Sequence, residues 1–198
     1  MKRVLVISPH PDDESIGCDG TLRQHVMHGD AVRVVFLTSG EAGVAVVGRS
    51  GQFASATARC GPLQPFWALR KSSFGLNRTG HSRVTRHAVG RLCGKLKEWW
   101  LHIVYVTHGW EMHPDDRAAC RLVRRALLPN GSEGAKPAVR QFGVRTPIAQ
   151  IDHMVDTSPY LDVKMLAIRS YKSECAVMRS DKAILGLNRY YSERYSWP

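Results

Sequence analysis

The chain has 198 residues, 43% of them hydrophobic and 23% charged, the size and balance of one ordinary globular domain with room for a sizeable core. Its formal net charge of +11 would suit nucleic acid, an anionic membrane surface or an acidic substrate. The basic residues are scattered rather than gathered into a block, so most read as solvated surface and nucleic acid is disfavoured as a partner. No apolar run approaches the ~20 residues of a membrane span. The run after Lys2-Arg3 is too short for a signal peptide, so the expected location is cytoplasmic. The five cysteines are dispersed with no Cys-x-x-Cys pair, which supports neither a disulfide framework nor a cysteine zinc site.

Arg3–Ser8 (RVLVIS) is a short continuous apolar run, the pattern of a buried parallel strand. Asp13–Gly29 follows with apolar residues at near-helical spacing, and Gly29 is a stop signal. Ala31–Thr38 predicts a second strand and Ser39–Gly43 a loop. This strand–helix–strand unit implies a βαβ crossover and a doubly wound α/β sheet. Residues 44–82 are the least legible part. Ser50–Arg59 reads as a weak helix, Phe66–Leu69 as a short strand and Gly75–Gly80 as a loop. Arg83–Trp100 predicts a helix, His102–Thr107 a strand and Asp115–Leu128 a strongly periodic helix. Asn130–Pro137 reads as a surface loop, Val139–Val144 and Ile151–Val155 as later strands, and Tyr160–Tyr171 as a helix. The last stretch, 181–198, is rich in tyrosine. With no repeat or linker, one domain is expected over residues 1–198.

Two segments carry chemistry. His10-Pro11-Asp12-Asp13-Glu14 follows the first strand, at the sheet edge where ligands of open α/β sheets bind. A His and an Asp at i and i+3 on an opening helical turn face the same way and can share one divalent metal, zinc being the first choice for nitrogen and oxygen ligands. Asp12 lies between them as a candidate general base beside a metal-bound water. Glu14 suits the positive end of the helix. The plainer reading is an acidic helix start. The second segment, Tyr105 to Asp116, also follows a strand and opens a helix. It repeats His-Pro-Asp-Asp at His113–Asp116, so two such turns can face one another across a metal. His108 and Glu111 read as exposed loop, and the Trp99-Trp100 pair as core. His81, His87 and His102 read as structural or solvated, and Asp152-His153, placed at a strand that could approach the site, is not chosen as part of it.

These residues resemble those of the LmbE or PIG-L-like metal-dependent N-deacetylases. The resemblance rests on Val6–Glu14 with Gly17, on Leu37–Gly43, and on Tyr105 through Asp115. Weaker matches are Val144–Pro147, Asp156, Lys164 and Ala167–Ser173. It implies a Rossmann-like fold with one zinc (Zn²⁺, or another divalent metal) held by His10 and Asp13. It makes Asp12 the general base and His113 the group that stabilises the oxyanion. In the family's His-Pro-Asp-His motif the second His is the third ligand, but here Asp116 stands in its place. Asp116 is the favoured third ligand and His113 the alternative. An Asp–His–Asp site carries more negative charge and makes zinc a weaker Lewis acid.

Further departures concern the substrate. Ser50-Gly51-Gln52 and Leu69–Ser73 stand where the family has an Arg-x-x-Glu pair and an acidic turn, so no substrate-binding residue carries over. The chain stops at Trp197-Pro198 where one more strand would be expected, which implies a domain shortened at its C-terminus. The implied reaction is hydrolysis of an N-acetyl or N-acyl group from an amino sugar or glycoside, and the positive charge favours an anionic one. The competing class is an inactive relative serving as a basic polyanion- or sugar-binding module.

Overall fold

In the computed structural model, residues 1–38, 70–73, 83–128, 136–171 and 179–194 are described. The sheet is built around β1 (Arg3–Ser8). Successive side chains of a strand point to opposite faces. Val4 and Val6 therefore enter one apolar cluster, and Leu5 and Ile7 the other. A strand apolar on both sides needs helices on both sides, and that is the arrangement found.

After β1 come α1 (Asp13–Gly17) and α2 (Asp19–Met27), then β2 (Ala31–Phe36). β3 (Arg70–Ser73), α3 (Arg86–Glu98), β4 (Ile103–Thr107), α4 (Pro114–Ala126) and β5 (Ala138–Phe142) follow. A 3-10 turn (Ser158–Tyr160) leads into α5 (Leu161–Ser170), and α6 spans Ser180–Arg194. Among the described residues the sheet has five strands, all parallel, in the order β3-β2-β1-β4-β5. Helices α3 and α4 cover one face through Leu92, Leu96, Leu122 and Val123. Helices α1, α2, α5 and α6 cover the other through Ile16, Leu22, Met165, Ile168 and Ile184. This is the Rossmann-like, doubly wound sheet expected from the βαβ pattern.

The strand order reverses between β1 and β4. Val4 pairs with Ile103 and Ile7 with Val106, so the segments leaving the carboxyl ends of these two strands emerge side by side. A crevice at such a reversal is where open α/β sheets take ligands.

Several local expectations are corrected. The helix expected over Asp13–Gly29 is two helices, broken at Cys18 (φ −137°, ψ 9°). The break lets α1 bring Gly17 against Phe142 and α2 bring Gly20 against Thr157. A Cβ on Gly17 would lie 2.2 Å from the Phe142 ring and 2.9 Å from the Gly143 carbonyl oxygen. Ile151–Val155 is not a strand. It is a half-buried to exposed connection, without a ladder partner among the described residues, that leads to the 3-10 turn. Trp99 does pack against the core, with the Arg33 guanidinium 3.8 Å above its ring. Trp100 instead points to solvent, 77% exposed, at a left-handed φ of 43° that ends the turn after α3. The tyrosine-rich end forms α6 as far as Arg194, and residues 195–198 lie outside the described residues. The loops over Ser39–Gly43 and Gly75–Gly80, the helix over Ser50–Arg59, the strand over Phe66–Leu69 and His81 lie outside the described residues. So does most of Asn130–Pro137.

Candidate metal centre at the β1 and β4 turns

The turn after β1 is folded tightly by its own side chains. Ser8 Oγ donates to the His10 carbonyl, and the His10 amide donates to Asp13 Oδ2 at 2.8 Å. Asp12 caps α1 at φ 150° and ψ −27°, a region that L-residues occupy rarely and at a cost of about 1–3 kcal/mol. Such strain persists only where the surroundings over-determine the backbone. Here the Asp12 amide donates to the buried Glu14 carboxylate. Glu14 also accepts from Ser8, from Ser15, and at 2.9 Å from the Tyr171 hydroxyl that follows α5. Glu14 thus ties the turn to β1 and to the opposite helical layer, a more specific task than sitting at a helix start.

The turn after β4 is longer. His113 is the N-cap of α4, its Nδ1 accepting from the Asp115 amide, and Pro114 takes the first helical position, where a missing N–H costs nothing. Thr107 donates to the Asp116 carbonyl, joining β4 to the helix. The residues between are held by Glu111, which is buried. It accepts from the amides of Met112, Val144, Arg145 and Thr146 and faces His108 Nε2 at 3.2 Å. Burial disfavours its charge, but His108 and these donors prevail and hold its pKa down at about 2. The Trp110 amide donates to His108 Nδ1, so the His108 proton sits on Nε2, toward Glu111 and the Thr146 carbonyl. The expectation that His108 and Glu111 lie in exposed loop is therefore overturned. The amides leaving β5 need an acceptor, and Glu111 supplies it. The loop's apolar residues Trp110 and Met112 are the exposed ones.

The two turns meet at His10. Its Nδ1 lies 3.1 Å from Asp13 Oδ2 and 3.7 Å from Asp116 Oδ1, and its Nε2 lies 3.1 Å from Asp115 Oδ2. The His113 ring stands edge-on to it, centroids 4.6 Å apart. Asp12, Asp13, Asp115 and Asp116 are all buried, and His113 is half-buried. His10, Asp13 and Asp116 each offer a ligand atom within 4.8 Å of the others, and so do His10, His113 and Asp115. Asp115 is the residue that reading the sequence left without a role. Asp152 and His153 lie exposed.

The charges are crowded. Burial would lower the His10 pKa, but Asp115, Asp13 and Asp116 overcome it and lift it to about 10. Burial and the neighbouring Asp13 push Asp116 up to about 8. Burial and the cationic His10 push His113 down. Asp13 Oδ1 and Asp116 Oδ1 are buried without a hydrogen-bond partner, which is costly unless something positive comes to them. Two orphaned carboxylate oxygens beside an imidazole nitrogen form a donor set suited to a divalent cation such as zinc.

The family model described as PIG-L, GlcNAc-PI de-N-acetylase, matches residues 5–64. The chain is 28% identical over 195 residues to diacetylchitobiose deacetylase of Thermococcus kodakarensis, covering 88% of this chain and 70% of that protein. Among solved structures, a conserved protein of Thermus thermophilus superposes with a TM-score of 0.80 at 24% identity, covering 98% of this chain and 90% of the other. GalB, the 4-carboxy-2-hydroxymuconate hydratase of Pseudomonas putida, superposes with a TM-score of 0.79 at 20% identity, covering 100% of this chain and 90% of the other. These matches bear out the resemblance of this chain to the LmbE/PIG-L family.

Proposed function

We propose that this protein is a metal-dependent N-deacetylase that removes an acetyl or related acyl group from an amino sugar or glycoside. The observation that carries the reading is the cluster of His10, Asp13 and Asp116, with ligand atoms within 4.8 Å and two buried carboxylate oxygens lacking a partner. These three residues would hold the metal, zinc being preferred. Diacetylchitobiose deacetylase, by its name, acts on an N-acetylated sugar, which supports the substrate class. The net charge of +11 favours substrates bearing a phosphate or other anionic group.

Zinc, when bound, would act as Lewis acid and lower the pKa of a coordinated water. Asp12, buried beside the ligands, takes the proton of the attacking water and returns it to the leaving amine. His113 stabilises the oxyanion that develops on the acyl group. Burial pushes its pKa down, which favours the neutral ring. Because Nδ1 accepts from the Asp115 amide, the neutral ring carries its hydrogen on Nε2 and still offers a donor. The turn held by Glu111 and the cap at His113 fix that donor's position in advance.

The test is to purify the protein, measure its metal content and assay acetate release from N-acetylated amino sugars and their phosphorylated derivatives. One equivalent of zinc, with acetate release lost on chelation and restored by zinc, is the expected result. A protein that binds no metal and shows only salt-dependent polyanion binding would be the basic binding module instead. Metal uptake without acetate release would point to another hydrolytic or hydration reaction on this fold.

A further inference from the structure

His10 lies between two carboxylate sets, one at each ring nitrogen. Asp13 and Asp116 face Nδ1, and Asp115 faces Nε2. Only one set can be completed by a metal through a given nitrogen, because a nitrogen that bears hydrogen has no lone pair to donate. Of the carboxylates around His10, the two with an oxygen lacking a hydrogen-bond partner, Asp13 at Oδ1 and Asp116 at Oδ1, both belong to the Nδ1 set.

We propose that Asp115 is a positioning residue that holds the His10 ring with its hydrogen on Nε2, so that Nδ1 is the nitrogen presented to the metal. The inference rests on the metal-dependent reading above. A carboxylate can only accept, so the 3.1 Å contact between Asp115 Oδ2 and His10 Nε2 is attractive when Nε2 carries the hydrogen. That leaves the Nδ1 lone pair directed at Asp13 and Asp116. Asp115 is well fixed for the task. It is 1% exposed, its amide donates to the His113 cap, and the next residue is tied to β4 through Thr107. A carboxylate behind a metal-ligating imidazole orients the ring and raises its basicity, an effect typically worth roughly 10–100-fold in metal affinity. The same residue joins His113 to His10, so the proposed oxyanion group and the proposed metal ligand share one support.

The experiment is NMR of the zinc-loaded full chain with isotope-labelled histidine rings, together with zinc affinity by competition against a chromophoric chelator. In the wild type, His10 is expected to show a metal-bound Nδ1 and a slowly exchanging hydrogen on Nε2. Asp115→Ala is expected to expose that hydrogen to fast exchange and to weaken zinc binding by ~10–100-fold. Asp115→Asn keeps an oxygen that can accept, so it should lose less. Thermal unfolding of the metal-free variants separates this effect from loss of the fold, and the wild-type spectrum decides the tautomer by itself. Zinc bound through His10 Nε2 would overturn the inference while leaving the proposed function standing. So would Asp115→Ala binding zinc as tightly as wild type with the Nε2 hydrogen unchanged. A wild-type protein that takes up no zinc would overturn both.

Discussion

The turns after β1 and β4 carry the same four residues, His-Pro-Asp-Asp, yet they use them differently. After β1 the helix cap falls on the third residue, Asp12, at a strained φ of 150°, and α1 is five residues long. After β4 the cap falls on the first residue, His113, and α4 runs for thirteen. The shift in register sends the first histidine to the centre of the cluster and leaves the second at its half-buried edge. The fourth residue of each turn ends in the same place, with Asp13 and Asp116 both leaving Oδ1 unpartnered. Each turn also has a buried glutamate outside the cluster. Glu14 ties the first to Tyr171, and Glu111 ties the second to residues 144–146. Identical letters thus acquire different roles because the helix starts at a different point within them.

The comparison breaks most sharply at Asp12, the third residue of the first turn. Asp12→Asn should lower kcat by ~10²–10⁴-fold, the usual contribution of a general base, while zinc content and thermal stability stay near wild type. Equal loss of zinc and activity would mean that Asp12 serves the ligand cluster instead. Full activity with zinc bound would remove it from the mechanism.

The crowding of the two turns around His10 makes metal loading pH-dependent. Without metal, His10 is held up at about 10 and Asp116 at about 8, so both retain protons at neutral pH. A ligand must shed its proton to bind. Zinc uptake near pH 7 should therefore release more than one proton, and affinity should rise with pH by roughly tenfold per unit for each proton displaced. Calorimetry in buffers of different ionisation enthalpy counts the protons directly. A release of none would mean that the cluster is already deprotonated and that the mutual support of the two turns is weaker than their distances suggest.

Much of this was legible in the sequence, and the misses have physical causes. The apolar run of Val4–Ile7 and the periodic face of α4 have only one way to bury themselves, so the doubly wound sheet follows from pattern. His10 and Asp13 stand out because charged residues directly after a buried strand need a reason to be there, and Asp116 because the second turn repeats His-Pro-Asp-Asp. Glu111 could not be found the same way. It sits between Trp110 and Met112, and sequence alone suggests that those two turn inward and the acid outward. The amides of residues 144–146 reverse that choice, and they lie more than thirty positions away. Asp115 was hidden by its likeness to Asp12, since a repeated motif does not reveal where each copy begins its helix. Ile151–Val155 has the composition of a strand, but no described strand pairs with it.

A smaller effect, on stability, should come from Glu111→Gln. The amide keeps the shape but has one acceptor oxygen instead of two, so some of the backbone donors lose their partner, at a cost of about 1–3 kcal/mol. For a chain of this length that lowers Tm by roughly 3–9 °C. The wild-type contribution has a defined pH window. With an ordinary value of 4.5 and a folded value of about 2, it is fully present above pH ~4.5 and is lost as the pH falls toward 2. Glu111→Gln should therefore flatten the acid limb of the stability curve. An unchanged acid limb would show that Glu111 does not hold the second turn.

The smallest expected change is the most informative about the second turn, because it would make that turn end as the resembling family's motif does. Asp116→His replaces one of two carboxylates with a neutral imidazole. The repulsion between Asp13 and Asp116 disappears, and with it one of the protons that zinc must displace. A less anionic ligand set also leaves the bound metal a stronger Lewis acid. These effects favour catalysis, whereas the larger ring must enter a position only 1% exposed, where overpacking commonly costs about 1–3 kcal/mol. With thermal stability reduced by that amount, zinc loading should release fewer protons than in wild type and kcat should rise, by no more than ~10-fold if the gain in electrophilicity is worth about 1.4 kcal/mol of barrier. If kcat instead falls while zinc remains bound as before, the carboxylate at position 116 is a requirement of this site rather than a weakened version of a histidine. The two His-Pro-Asp-Asp turns would then form a matched pair of carboxylate ligands around one imidazole.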